Sequence, residues 1–260
     1  MADNYHVELV AFCKRLKIAS AMADRAETTE GETHVEFLYN LLKKEIELRD
    51  QAHIDNIIKD AKFPVQYSFD QFRTDEVEFP SDCSVDTLKS LKFLYEHKNI
   101  IMYGGTGTGK TMLSICIGLI ACKREIPVRF FRTASLVNTL SAKMQAGKLD
   151  PFRDKLRKAS IYILDEFGYV PYDRDGINIL FDFLSEISDD PTKVVILNTN
   201  LEFSRWVNVL YDQKLTAALI GRLTHHCHLI LFPGENNRLK ESSINMIYRN
   251  IADRQERLKR

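Results

Sequence analysis

The chain has little of what marks secreted, membrane or disordered proteins. Its cysteines, Cys13, Cys83, Cys116, Cys122 and Cys227, are few, odd in number and scattered, with no C-x-x-C pair. That pattern excludes a disulfide scaffold and points to a reducing cytoplasm. No apolar run approaches the ~20 residues that span a bilayer, so no membrane helix is expected. The start, from Met1 to His6, lacks the basic residues and apolar block of a secretion signal. Glycine (11) and proline (7) are sparse, and there is no repeat or low-complexity tract. Net charge is absent too: 36 basic residues meet 36 acidic ones. The chain as a whole therefore offers no electrostatic draw to nucleic acid, although a basic stripe on one face remains compatible with zero net charge. Residues 1–70 carry 9 basic and 13 acidic residues, and residues 71–260 carry 27 and 23. The longer segment is the better candidate to meet phosphates. What remains, 260 residues with 45% hydrophobic and 28% charged, suffices for a sizeable core.

Two grammars divide the sequence. Val7, Val10, Ala11, Leu16, Ile18 and Met22 recur at helical spacing over residues 5–24. Residues 35–61 read as one or two amphipathic helices, with Leu38, Leu41, Leu42, Ile46, Ile54 and Ile57 on the apolar side, and Phe63-Pro64 ends them. This predicts a small N-terminal helical domain over residues 1–65, with residues 66–80 connecting it to a second domain that runs to residue 260. From about Asp82 onward, apolar strands alternate with helices. Strands are predicted at 99–103, 128–131, 160–164, 194–197 and 229–232, with helices at 112–122, 136–144 and 177–187. Near-continuous apolar strands separated by helices imply a parallel sheet covered on both faces.

The strongest local signal is Gly104-Gly105-Thr106-Gly107-Thr108-Gly109-Lys110-Thr111, which fits G-x-x-x-x-G-K-[ST] between a strand and a helix. Its glycines allow backbone N–H groups to wrap a phosphate at the helix N-terminus. Lys110 can reach the β- and γ-phosphates, and the Thr111 hydroxyl can ligate Mg²⁺. The second signal is Ile161-Tyr162-Ile163-Leu164-Asp165-Glu166, an apolar strand ending in two carboxylates. Asp165 is placed to hold Mg²⁺ through water, and Glu166 to polarise an attacking water. One strand–helix unit separates them from Lys110, and no N-K-x-D guanine motif follows, which favours ATP hydrolysis. A third signal, Val194 to Asn200, is a strand ending in Asn198-Thr199-Asn200. Asn198 and Asn200 are two apart and share a strand face, so alternation leaves open which is the catalytic polar group, with Asn200 carried as the candidate. The run His225-His226-Cys227-His228 lacks the spacing of a zinc site.

Together these motifs resemble the IstB-like helper ATPases of bacterial insertion sequences, relatives of the helicase loader DnaC. Lys14-Arg15-Leu16-Lys17, Ala61-Lys62-Phe63-Pro64, Asp165-Glu166-Phe167-Gly168-Tyr169-Val170-Pro171, Phe203, Trp206 and Arg222-Leu223-Thr224-His225-His226 carry the resemblance, which covers nearly the whole chain. It implies an α/β fold: a P-loop AAA+ core with a parallel sheet flanked by helices, preceded by the small helical domain, with the C-terminal lid absent or short. It also implies ATP and Mg²⁺ as cofactors, a homo-oligomer assembled on duplex DNA, and a partner transposase in target capture. Arg222 matches the position of an arginine finger offered to a neighbouring subunit, and the strand ending in Asn200 matches the sensor-1 strand. Arg238 aligns as a sensor-2-like, nucleotide-binding arginine, although Asn236-Asn237 stand where the family has Ser-Tyr. The histidines become family strand residues.

Other functions on the same P-loop are a DnaC-like loader of a replicative helicase and a small-molecule kinase with Glu166 as base. For DNA, the candidates are two basic stretches: Lys14, Arg15 and Lys17, and Lys148, Arg153, Lys155, Arg157 and Lys158. With no base-reading module, low sequence specificity is expected.

Overall fold

The computed structural model describes residues 2–169 and 173–234. The chain forms two compact units, residues 1–56 and 57–260. The first contains α1 (Ala2–Arg15), α2 (Met22–Thr28) and most of α3 (His34–Ala61). The helical pattern expected over residues 5–24 is broken after Arg15. Lys17 stands in the left-handed region (φ 56°), and the Ile18 N–H returns to the Cys13 carbonyl at 2.9 Å, a Schellman closure without its usual glycine. Residues 34–61 form one helix, and α3 continues past residue 56 into the second unit. There Ile57, Ile58 and Ala61 pack in the second unit's core.

After the end of α3 the second unit continues as a connector to α4. Phe63 lies against Gly118, and Glu78 makes an antiparallel bridge to Leu231. After α4 (Val85–Ser90) and α5 (Lys92–Tyr95), five strands appear among the described residues: β1 (Asn99–Gly104), β2 (Val128–Arg132), β3 (Ile161–Phe167), β4 (Val194–Thr199) and β5 (Cys227–Phe232). All pair in parallel, in the order β2-β3-β4-β1-β5. The connecting helices are α6 (Lys110–Lys123), α7 (Thr133–Gln145), α8 (Leu149–Leu156), α9 (Arg174–Asp189), α10 (Val207–Leu210) and α11 (Gln213–His225).

The three central strands are buried on both faces, which is why they read as unbroken apolar runs. One core, with Leu113, Ile117 and Ile163, lies beneath α6. The other, with Leu136, Phe183 and Leu219, lies beneath α7, α9 and α11. Because all strands are parallel, their C-terminal ends share one edge of the sheet, where ligands bind in open α/β folds. The P-loop, Asp165 and Asn198 lie on that edge. Arg222 is in the last turn of α11, just before β5 begins. Cys227 pairs with Asn99 at the start of β1, and Phe232 pairs with Gly104 at its end. Arg222 therefore lies at the opposite edge of the sheet from the P-loop.

Among the described residues no helix is long and apolar enough to cross a membrane. His225 ends α11, His226 caps it, and only His228 lies in a strand, so the expected row of strand histidines is corrected. The expected short or absent lid falls on residues 235–260, outside the described residues.

Candidate nucleotide-binding site

The site begins where β1 runs into glycine. A Cβ at Gly104 would stand 2.2 Å from the Phe232 carbonyl oxygen, so β1 and β5 pair to the last residue only because no side chain is there. Gly107 and Gly109 adopt left-handed conformations (φ 79° and 104°), and the chain enters α6 at Lys110. The loop Gly104, Gly105, Thr106, Gly107, Thr108, Gly109 thus ends at a 14-residue helix whose N-terminus carries partial positive charge.

Lys110 is nearly buried and faces this cleft. Its ammonium group donates to the carbonyls of Gly104 (2.8 Å) and Gly105 and to the Thr108 hydroxyl (3.3 Å). The Thr111 hydroxyl donates to the Asp165 carboxylate, 2.9 Å from Oδ1 and 3.1 Å from Oδ2. Asn198 Nδ2 donates to the same Oδ1 at 2.8 Å, and the Thr133 hydroxyl fixes the Asp165 main-chain carbonyl at 2.8 Å. α6 and β4 thereby hold the carboxylate that β3 presents, and α7 fixes the main chain beneath it. The Ser114 hydroxyl lies 2.8 Å from Asn198 Oδ1 and 2.9 Å from the Lys110 carbonyl, locking α6 to β4.

Asp165 and Glu166 are adjacent, so an ordinary strand would turn them to opposite faces. Here both line the same cleft. The register of β3 against β4 shifts between Leu164 and Phe167, and Glu166 takes a left-handed conformation (φ 57°). This bulge redirects the chain and exposes Glu166 between two buried neighbours. Its carboxylate stands 4.0 Å from Arg132 Nε.

The two asparagines part company at the end of β4. Asn198 is buried and committed to Asp165 and Ser114, whereas Asn200 lies just beyond the strand, exposed, on the wall of the cleft. Arg222 does not line the cleft; it lies 3.9 Å from Asp189. Arg238, with the lid, and Val170 and Pro171 of the β3 motif lie outside the described residues. Ser114 and Thr133 belong to no sequence motif, and the exposed Tyr169, part of the motif that begins at Asp165, also lines the cleft. The one signal for Ser114 in the sequence is a hydroxyl set in the apolar run of α6. Of the basic stretch before β3, Arg153 and Arg157 are paired with Glu186, and Arg157 also with Asp154. Those pairs hold the Glu186 carboxyl below the ordinary range, Arg157 first. Lys148, Lys155 and Lys158 remain exposed.

Thr111 and Asp165 place a hydroxyl and a carboxylate side by side, the hard oxygen donors that suit Mg²⁺ beside a phosphate. A P-loop, a paired Thr–Asp and a polar β4 end on this strand order form a nucleotide site. A family model of IstB-like ATP-binding proteins matches residues 11–245. This chain belongs to that family. It is 32% identical over 244 residues to the ATP-binding protein of insertion sequence IS5376 from Geobacillus stearothermophilus, covering 90% of this chain and 94% of that one. It is 31% identical to the corresponding IS21 protein of Pseudomonas aeruginosa, covering 79% and 77%. Among solved structures, the IstB-like chain is similar to AMPPCP-bound DnaA from Aquifex aeolicus (TM-score 0.55, 19% identity, 70% of this chain and 57% of that one). It is also similar to DnaI (TM-score 0.50, 18% identity, 70% and 92%). These likenesses show a fold shared with DnaA and DnaI, and family membership establishes ATP as the nucleotide the IstB-like chain binds.

Proposed function

We propose that this protein is an ATPase that assembles on duplex DNA with ATP and Mg²⁺ and helps the transposase of the same element to select target DNA. The observation that carries the catalytic part is the convergence of Lys110, Thr111, Asp165 and Glu166 on one cleft. The context comes from relatives that belong to insertion sequences and are matched over most of their length. In this reading Lys110 offsets phosphate charge, and Thr111 and Asp165 hold Mg²⁺. When bound, Mg²⁺ neutralises charge on the β- and γ-phosphates. Glu166 takes the proton of the attacking water, and Asn200 orients that water. Asn198 instead fixes Asp165.

Arg222 serves a neighbouring protomer. Its place at the far sheet edge supports this, since it cannot turn to its own P-loop across the length of a strand. The helical domain, residues 1–65, faces partners, and residues 66–260 carry the ATPase. Exposed lysines, including Lys148, Lys155 and Lys158, contact the DNA backbone, which makes binding sequence-tolerant and salt-sensitive. Work on DNA in this manner belongs in the cytoplasm. The loader alternative has only the shared fold in its favour.

ATP turnover measured with and without duplexes of unrelated sequence tests the reading. Every duplex should stimulate it. No stimulation would refute the DNA-dependent mechanism, and stimulation by a single sequence would refute low specificity.

A further inference from the structure

Glu166, in β3, and Asn200, just past the neighbouring β4, both have exposed side chains lining the cleft, yet their backbones are set by less exposed neighbours. Phe167 follows Glu166, and Thr199 and Leu201 flank Asn200. These neighbours form a closed circuit. The buried Thr199 hydroxyl donates to the Phe167 carbonyl at 2.9 Å and accepts the Leu201 N–H at 3.0 Å. The Leu201 carbonyl accepts the Trp206 indole N–H at 3.1 Å. The Trp206 ring then returns to Phe167, with centroids 4.4 Å apart, and is backed by Phe203 at 5.1 Å. Phe167 and Trp206 are fully buried, and Thr199 nearly so. Gly168 completes the fit, because a Cβ there would stand 2.9 Å from the Leu201 side chain.

We propose that Thr199 and Trp206 are positioning residues for hydrolysis, fixing the separation between Glu166 and Asn200 across the bulge that ends β3. The inference rests on the catalytic roles proposed above for those two residues. Thr199 borders the cleft, but its hydroxyl is committed to Phe167 and Leu201, and the Trp206 indole N–H to Leu201, rather than to the groups assigned to nucleotide and metal. Their loss should therefore spare ATP binding and strike turnover. A bulged strand end has lost ladder hydrogen bonds, so the circuit is what holds Glu166 in register with the loop beyond β4. Displacement of a catalytic group by about 1 Å can cost up to about a hundredfold in rate.

The test compares Thr199→Val, Thr199→Ser and Trp206→Phe in the full chain, with Glu166→Gln alongside. Valine keeps the shape of threonine and removes the hydroxyl, and phenylalanine keeps an aromatic ring and removes the indole donor. Thr199→Val should lower kcat about ten- to hundredfold, with KM and ATP affinity within about twofold of wild type. Thr199→Ser, which keeps the hydroxyl, should restore kcat to within about threefold. In a Glu166→Gln background, Thr199→Val should produce no further loss, because the group it positions is already gone. Unchanged kcat in Thr199→Val overturns the proposal. So does a loss spread equally over KM, ATP affinity and kcat, or a failure of serine to rescue. If Trp206→Phe does not fold, the Thr199 pair decides alone. Wild-type turnover in Glu166→Gln refutes the parent catalytic reading instead, and so is distinguishable from failure of the positioning role.

Discussion

Replacing Glu166 with glycine should stabilise the fold while stopping hydrolysis. The strained backbone at Glu166 (φ 57°) makes this separable from ordinary loss of function. A residue with a Cβ costs roughly 1–2 kcal/mol in the left-handed conformation. Glycine escapes that cost but adds roughly 0.5–1 kcal/mol of unfolded-state entropy. The Arg132 contact, at 4.0 Å between two exposed side chains, contributes at most about 0.5 kcal/mol. Glu166→Gln is the proper reference, because it also loses the charge and keeps the Cβ. The glycine variant should therefore be more stable than the glutamine variant by about 0.5–1 kcal/mol, a rise in Tm of roughly 1–4 °C for a unit of this size. Both should bind ATP normally, since phosphate and metal are assigned to Lys110, Thr111 and Asp165 rather than to Glu166. Both should also lose at least about a hundredfold in turnover, the contribution of a general base. Thermal unfolding and single-turnover hydrolysis read the two effects separately. A glycine variant less stable than the glutamine variant would refute the strain, and undiminished turnover in either would move the base elsewhere.

Lys110→Ala should abolish ATP binding in a direct titration, because the phosphates lose their main counter-charge; near wild-type affinity would remove that role. Arg222→Ala should bind ATP almost normally and hydrolyse it about 10³-fold more slowly, and mixing it with Lys110→Ala should restore some activity. Normal hydrolysis by Arg222→Ala, or activity per molecule that does not change on dilution to monomer, would count against a site shared between protomers. His228 is fully buried, and burial holds its imidazole below the ordinary value despite Asp82 at 3.4 Å. The folded state keeps this ring neutral while the unfolded chain takes a proton, so stability is present above about pH 6.5 and lost as pH falls below it. His228→Met should flatten that slope between pH 7 and 5.5 in denaturant titrations, and an unchanged slope would assign acid sensitivity to other groups.

The chemistry most legible in the sequence is the chemistry built from neighbours. The P-loop could be read because glycine at 104, 107 and 109, a lysine and a threonine occupy consecutive turns of one segment. The strands could be read because a parallel sheet buried on both faces needs continuous apolar runs such as Ile161 to Leu164. Helix ends were less legible. Lys17 and His97 adopt the left-handed conformations that glycine usually supplies, so a chain poor in glycine carried no local stop signal there.

The rest depends on residues far apart in the chain. Asn198 and Asn200 are equivalent by alternation, and they separate only because Ser114 and Asp165 claim the first while β4 ends before the second. Arg153 and Arg157 read as a basic patch until the fold brings Glu186 beside them. Asp165 and Glu166 alternate in sequence but share a cleft because the pairing of β3 with β4 slips. A strand's pattern specifies which side chains can be buried. Where that pattern yields to a bulge is decided by the partner strand and the aromatic packing behind it, and neither is encoded within the segment itself.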